Sequence, residues 1–160
     1  MKLNDLLLEL SKQEFFKKFM IENPDSFLTA GFFIFDLESN TNKIQLDFFL
    51  PKTMKIASIE HPFKEVKVYG DEIKEARQLN EKLKVDISDV IDRVYDLQRK
   101  NKNSMRIAKI IAILKDDVWN LTCLSSTMDI LRIHINSLTG ICQKFEKSSL
   151  ADFMEVRKTK

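Results

Sequence analysis

Apolar positions recur at helical spacing from the start of the chain. Leu3, Leu7 and Leu10 share one helical row with Glu14 and Lys18, and Phe15, Phe16, Phe19 and Met20 extend the stripe. This predicts helix over residues 1–23, ending at Asn23-Pro24 because a residue preceding proline is pushed out of the α region. Ser11-x-x-Glu14 has the form of a capping box, which leaves two short helices open as an alternative to one. Phe27 to Leu37 is then almost continuously apolar, so both faces of such a strand ask for burial and it belongs in the centre of a sheet. After the polar turn Glu38 to Asn42, Ile44, Leu46, Phe48 and Leu50 alternate with Gln45 and Asp47, the period of a half-buried strand closed by Pro51. Ile56, Ile59, Phe63, Val66 and Val68 suggest a third strand. Its alternation changes phase just after His61-Pro62, where a bulge or a break into two short strands is expected.

Gly70-Asp71 opens a charged, weakly patterned segment with room for a short helical turn. Helix resumes over 86–100, where Asp86 and Asp89 suit the positive helix start and Arg99 and Lys100 the negative end. Ile87, Val90, Ile91, Val94 and Leu97 supply its apolar stripe. A four-strand meander over 107–146 follows, with strands at Ile107–Leu114, Val118–Leu124, Ile130–Asn136 and Ile141–Phe145. Ser149 has the character of a cap for a short helix over 149–155 carrying Leu150, Phe153 and Met154, and 156–160 is expected to fray. The strands of 27–69 and 107–146 and these helices give an α+β fold: a curved antiparallel sheet of about six or seven strands. One amphipathic helix packs across a face, with flanking N- and C-terminal helices.

Composition narrows the class. The 160 residues are 44% hydrophobic and 31% charged, with three Gly and three Pro, which suits a single globular domain over 1–160 without long linkers. A net charge of +2 is too small to argue for nucleic acid, an anionic membrane or an acidic substrate. Asn4, Asp5 and Glu9 interrupt the N-terminal leucines, so that stretch reads as an amphipathic helix rather than a secretory signal. No transmembrane segment of about 20 apolar residues is present. The expected compartment is the cytoplasm, with Cys123 and Cys142 as reduced, buried thiols.

Catalytic chemistry finds little support. Cys123 and Cys142 lie in apolar strands, where thiols are inert, and only His61 and His134 could serve as near-neutral bases. His134 alternates with Ile133 and Ile135 and reads as a solvent-facing sheet position; His61 reads as structural, at the edge of a pocket. Two His and two Cys without C-x-x-C or H-x-x-x-H spacing form no metal signature, and Gly31, Gly70 and Gly140 stand too far apart for a phosphate loop. No catalytic residue, metal ligand or cofactor site is therefore assigned. The basic cluster Arg99, Lys100, Lys102, Arg106 and Lys109, with Trp119 nearby, is the one electrostatic feature above background; nucleic-acid binding is the minor reading of it and a solvated loop the major one. Phe33, Phe35 and Phe49 are the candidate interaction surface, because two helices on one face leave the other without cover. From this follow an unidentified protein partner and a candidate homodimer.

The segment Ile133-His134-Ile135-Asn136-Ser137-Leu138-Thr139-Gly140-Ile141 resembles the C-terminal hairpin of PepSY-type modules, over residues 119–145. In the family pattern an alternating strand runs into an Asp, then Thr-Gly, then a second apolar strand; Asn136 stands here in place of the Asp. The chemistry behind the pattern is an Asx side chain bonding the turn amides and a glycine in the left-handed conformation, which makes Asn136, Thr139 and Gly140 the structural turn. The resemblance implies a non-catalytic regulatory or inhibitory binding module. The overall plan is also similar to cystatin-like single-sheet folds and to secretion chaperones, although the latter are acidic and have fewer strands. The expected function is a protein-interaction or regulatory module. The alternatives are a small-molecule pocket or cryptic enzyme with a cavity between helix and sheet, and a chaperone-like or weak nucleic-acid binder.

Overall fold

The computed structural model describes residues 1–73 and 75–149. Two helices, α1 (Leu3–Ser11) and α2 (Glu14–Glu22), lead into four strands: β1 (Phe27–Asp36), β2 (Thr41–Leu50), β3 (Lys55–Glu60) and β4 (Lys67–Tyr69). A long connection then reaches a 3-10 turn, Ile87–Asp89, continued by α3 (Val90–Lys100). Four more strands follow: β5 (Ile107–Lys115), β6 (Val118–Ser125), β7 (Asp129–Asn136) and β8 (Cys142–Ser149). All eight join one antiparallel sheet in the order β4-β3-β2-β1-β5-β6-β7-β8. The chain thus runs twice through helix and four-strand meander, and the two first strands, β1 and β5, pair at the centre. Sheet and helix assignments follow the sequence closely, with eight strands in place of six or seven.

Local chemistry explains the departures. The N-terminal helix breaks at Lys12-Gln13, but Ser11 is not the cap. It is the last residue of α1 and its hydroxyl donates to the Leu8 carbonyl at 2.6 Å. The third strand breaks at His61-Pro62, a cis peptide, into β3 and β4. Asp86 and Asp89 form the expected reciprocal cap: the Ile87 amide donates to Asp86 Oδ1 at 2.7 Å and the Asp86 amide to Asp89 Oδ2 at 2.9 Å. Residues 71–73 and 75–85 carry no helical turn. They form an extended strap across the strand ends, tied by Ile73 N–H to the Met54 carbonyl (2.7 Å), Leu79 N–H to Leu28 (2.8 Å) and Lys84 N–H to Ser137 (2.9 Å). Ser149 closes β8, and the expected helix over 149–155 otherwise lies outside the described residues.

One contiguous core lies between the helices and a single face of the sheet. Phe16 and Phe19 of α2 pack on Phe48 of β2, with centroids 5.4 and 6.2 Å apart. Trp119 of β6 is fully buried against Phe33 of β1 (5.5 Å), and its indole N–H donates to the Val85 carbonyl at 2.7 Å. Leu3, Leu6 and Leu10 of α1 and Val90 and Val94 of α3 are also fully buried in this cluster. Helices whose apolar stripes are buried this completely fix which sheet face is inside.

Candidate functional site

Because side chains alternate along a strand, the register assigns every strand residue to a face. Phe33 stands opposite Ile44 and Ala112, and that row continues through Leu121, Ile133 and Phe145; all belong to or pack on the core. Phe32 and Ile34 therefore point the other way. The row through Ile34 reads Lys43, Ile34, Ile111, Thr122, Arg132, Glu146 from β2 to β8. The next reads Glu60, Gln45, Phe32, Ile113, Asn120, His134, Lys144 from β3 to β8. A third holds Lys67, Ser58, Asp47, Ala30, Lys115, Val118 and Asn136.

At the middle of this face, astride the β1–β5 seam, Phe32, Ile34, Ile111 and Ile113 form a two-by-two apolar block. Each is partly exposed, and none belongs to the core cluster. A cleft of about 470 Å³ opens beside it, lined by Phe32, Ile34, Ile111, Lys43, Gln45, Glu60 and His61, together with Phe33 and Ile44. Next to the block Asp47 is held in place: Ser58 Oγ donates to its Oδ1 at 2.6 Å and Gln45 Nε2 at 2.9 Å.

The aromatics expected to form an interaction surface require correction. Phe33, Phe35 and Phe49 are buried, at 1%, 4% and 8% exposure. Phe33 and Phe35 lie on the helix-covered face with their rings parallel at 6.4 Å, whereas Phe49 shares the open face with Gln45 and Asp47, as expected, but is buried there against Phe27 at 5.5 Å. Among the described residues one set of β1 side chains does lack helical cover, but it is Phe32 and Ile34. A run apolar on both faces carries no signal of its phase; the alternation of Ile110, Ala112 and Leu114 with Ile111 and Ile113 is equally silent.

The basic cluster does not converge. Arg99 pairs with Asp96 on the exposed side of α3. Arg106 lines a separate hollow with Leu37, Tyr95 and Met105. Lys109 faces the open side of the sheet opposite Asp36, whose carboxyl the amide and hydroxyl of Ser39 and the amide of Glu38 hold below its ordinary value, the Lys109 charge adding least. Trp119, the candidate base-stacking residue, is buried.

The sheet also separates the groups a Cys–His pair would need. Cys123 and Cys142 lie on the core face, on strands with β7 between them, whereas His134 lies on the open face beside Lys144. Burial pushes the Cys123 thiol up to about 12. His61 is engaged structurally: its Nε2 lies 3.2 Å from Glu9 of α1 and its ring meets Phe63 edge-on at 5.1 Å. The Asn136–Gly140 turn is built as its chemistry requires. Asn136 Oδ1 accepts from the Leu138 and Thr139 amides at 2.9 and 3.0 Å, and Gly140 has φ +79°. Arg93 of α3 donates to the Gly140 carbonyl, so the turn also docks the helix. Among the described residues no group of three or more His, Cys, Asp or Glu is arranged to hold a metal, and no helix is long and apolar enough to cross a membrane.

No protein-family model matches the chain, and no curated protein matches it. Among solved structures it is similar to the crystal structure of a "putative lipoprotein (CD1622)" from Clostridium difficile 630, with a TM-score of 0.54 and 12% identity. The match covers 86% of this chain and 97% of that one. At that identity the likeness is one of fold alone.

Proposed function

We propose that the chain is a non-catalytic binding module that works through the open face of its sheet. The observation that carries this reading is the block of Phe32, Ile34, Ile111 and Ile113, partly exposed and ringed by polar and charged side chains. An apolar centre within a polar rim is the anatomy of a protein interface rather than of a solvated sheet face, where alternate positions are polar. The PepSY-like hairpin supports a regulatory or inhibitory role of the same kind. Two free thiols, one of them fully buried, fit a reducing compartment, and we place the module in the cytoplasm. We prefer this to the rival, a ligand cavity between helix and sheet, because Trp119, Phe33, Leu46 and Leu121 lie in that interior at 1% exposure or less. A chaperone-like role would use the same open face.

The test is affinity capture from the native cell with the full chain and with the Ile34→Lys/Ile111→Lys double variant, both shown to be folded by circular dichroism. Proteins retained by the wild type and lost with the variant support the reading. An identical captured set from both overturns it.

A further inference from the structure

We propose that the occupant of the open face is a second copy of this chain, stacked sheet against sheet about a two-fold axis parallel to the strands. The proposal rests on the face being the binding surface, and it adds the partner. Three features of the face are those a self-complementary surface needs.

The apolar block is centred on the sheet. It straddles the β1–β5 seam, with four strands on either side. A two-fold axis above that seam sets β1 over the partner's β5, so Phe32 of one copy meets the partner's Ile113, and Ile34 the partner's Ile111. Both contacts occur twice.

The charges are divided between the halves. On the outward positions of β1 to β4, Asp36, Asp47 and Glu60 outweigh Lys43 and Lys67. On those of β5 to β8, Lys109, Lys115, Arg132 and Lys144 outweigh Glu146. The same axis lays the acidic half of each copy over the basic half of the other. β3 and β7 each stand two and a half strand spacings, or about 12 Å, from the seam. There the usual crossing of about −30° between aligned sheets displaces facing positions by about 6 Å, roughly the spacing of one row. Glu60 therefore comes within reach of the partner's Arg132 and His134. An axis perpendicular to the strands would instead set like against like.

The area suffices. The outward positions of the three rows on β3, β2, β1, β5, β6 and β7, at about 30 Å² each from the strand and residue spacings, bury roughly 1,000 Å² in all, the size of a weak, reversible interface. A dimer with a dissociation constant in the micromolar range is expected.

The experiment is sedimentation velocity on the full chain from about 1 to 100 µM, for the wild type, Ile111→Lys, Glu60→Lys, Arg132→Glu and the Glu60→Lys/Arg132→Glu pair. A concentration-dependent dimer is expected for the wild type and a monomer for Ile111→Lys. Each single charge reversal should weaken the dimer about tenfold, and the pair should restore it to within about threefold, since every reversal acts at two symmetry-related contacts. That rescue tests the interface independently of Ile111→Lys. A dimer indifferent to all these substitutions overturns the proposal, as does a wild type monomeric at 100 µM. In the monomeric case, capture lost with Ile34→Lys/Ile111→Lys assigns the face to a different protein and leaves the binding role standing. A monomer with identical capture by both removes the binding role as well.

Discussion

The backbone amide of Leu3 donates a buried 2.8 Å hydrogen bond to Oδ1 of Asp86, eighty-three positions downstream. The same oxygen accepts from the Ile87 amide. One carboxylate thus caps the turn that opens α3 and secures the first turn of α1, joining the helix layers of the two halves. Asp86→Ala strands two buried amides and is expected to cost about 2–4 kcal/mol in urea unfolding. Asp86→Asn, which keeps an acceptor oxygen, should cost clearly less; equal losses would mean that the capping geometry is not what matters.

Gly31 makes room for an aromatic ring. A Cβ built there would lie 2.7 and 2.8 Å from ring carbons of Phe33. That ring cannot swing aside, because it stacks parallel to Phe35 and packs 5.5 Å from Trp119. Gly31→Ala is expected to lose roughly 1–3 kcal/mol through overpacking, although alanine is ordinarily the better strand residue. A neutral or stabilising result in thermal unfolding would contradict the packing described.

How far the sequence carries depends on whether a pattern is local. α3 is legible because its apolar period runs for three turns between an acidic start and a basic end, and the Asn136–Gly140 turn because Asx and Gly are needed at fixed offsets. The pairing of β1 with β5 is not legible: about seventy residues separate the strands, and any central apolar strand would have served as partner. The side of β1 that faces solvent was hidden for the same reason, since Phe32 and Phe33 are the same residue type. The strap of 71–73 and 75–85 is held by backbone hydrogen bonds to Met54, Leu28 and Ser137, and main-chain bonding leaves no trace in side-chain periodicity. Most of the candidate site was therefore within sequence reach as a strand, but not as a surface.

Trp119 is the single tryptophan. Its native emission should be blue-shifted, shielded from iodide and red-shifted on unfolding. Trp119→Phe leaves the Val85 carbonyl without its indole donor and opens a cavity, for an expected loss of about 2–4 kcal/mol. Native emission already at the solvent-exposed wavelength would contradict its burial.

Cys123 couples stability to high pH. Burial raises its pKa from 9.0 to about 12, so the native state keeps a proton that the unfolded chain releases. The contribution is complete below about pH 9 and is lost as pH rises toward 12, at up to about 1.4 kcal/mol per pH unit. Cys123→Ala should flatten the fall in stability over that window relative to the wild type, and an unchanged slope would contradict the assignment. Under native conditions a thiol reagent should modify the half-buried Cys142 and reach Cys123 only on unfolding.

The central claim is that, among the described residues, helices cover one face of the sheet and leave the other open, and two adjacent residues of β5 test it directly. Ile110 is fully buried in the core and its neighbour Ile111 faces outward. Urea unfolding of Ile110→Lys and Ile111→Lys, at submicromolar concentration to suppress association, should give opposite outcomes. Ile111→Lys should stay folded within about 1 kcal/mol of the wild type, whereas Ile110→Lys should lose more than about 4 kcal/mol or fail to fold. Comparable large losses in both would show that the face carrying Phe32, Ile34, Ile111 and Ile113 is covered in the folded monomer, and would contradict the account.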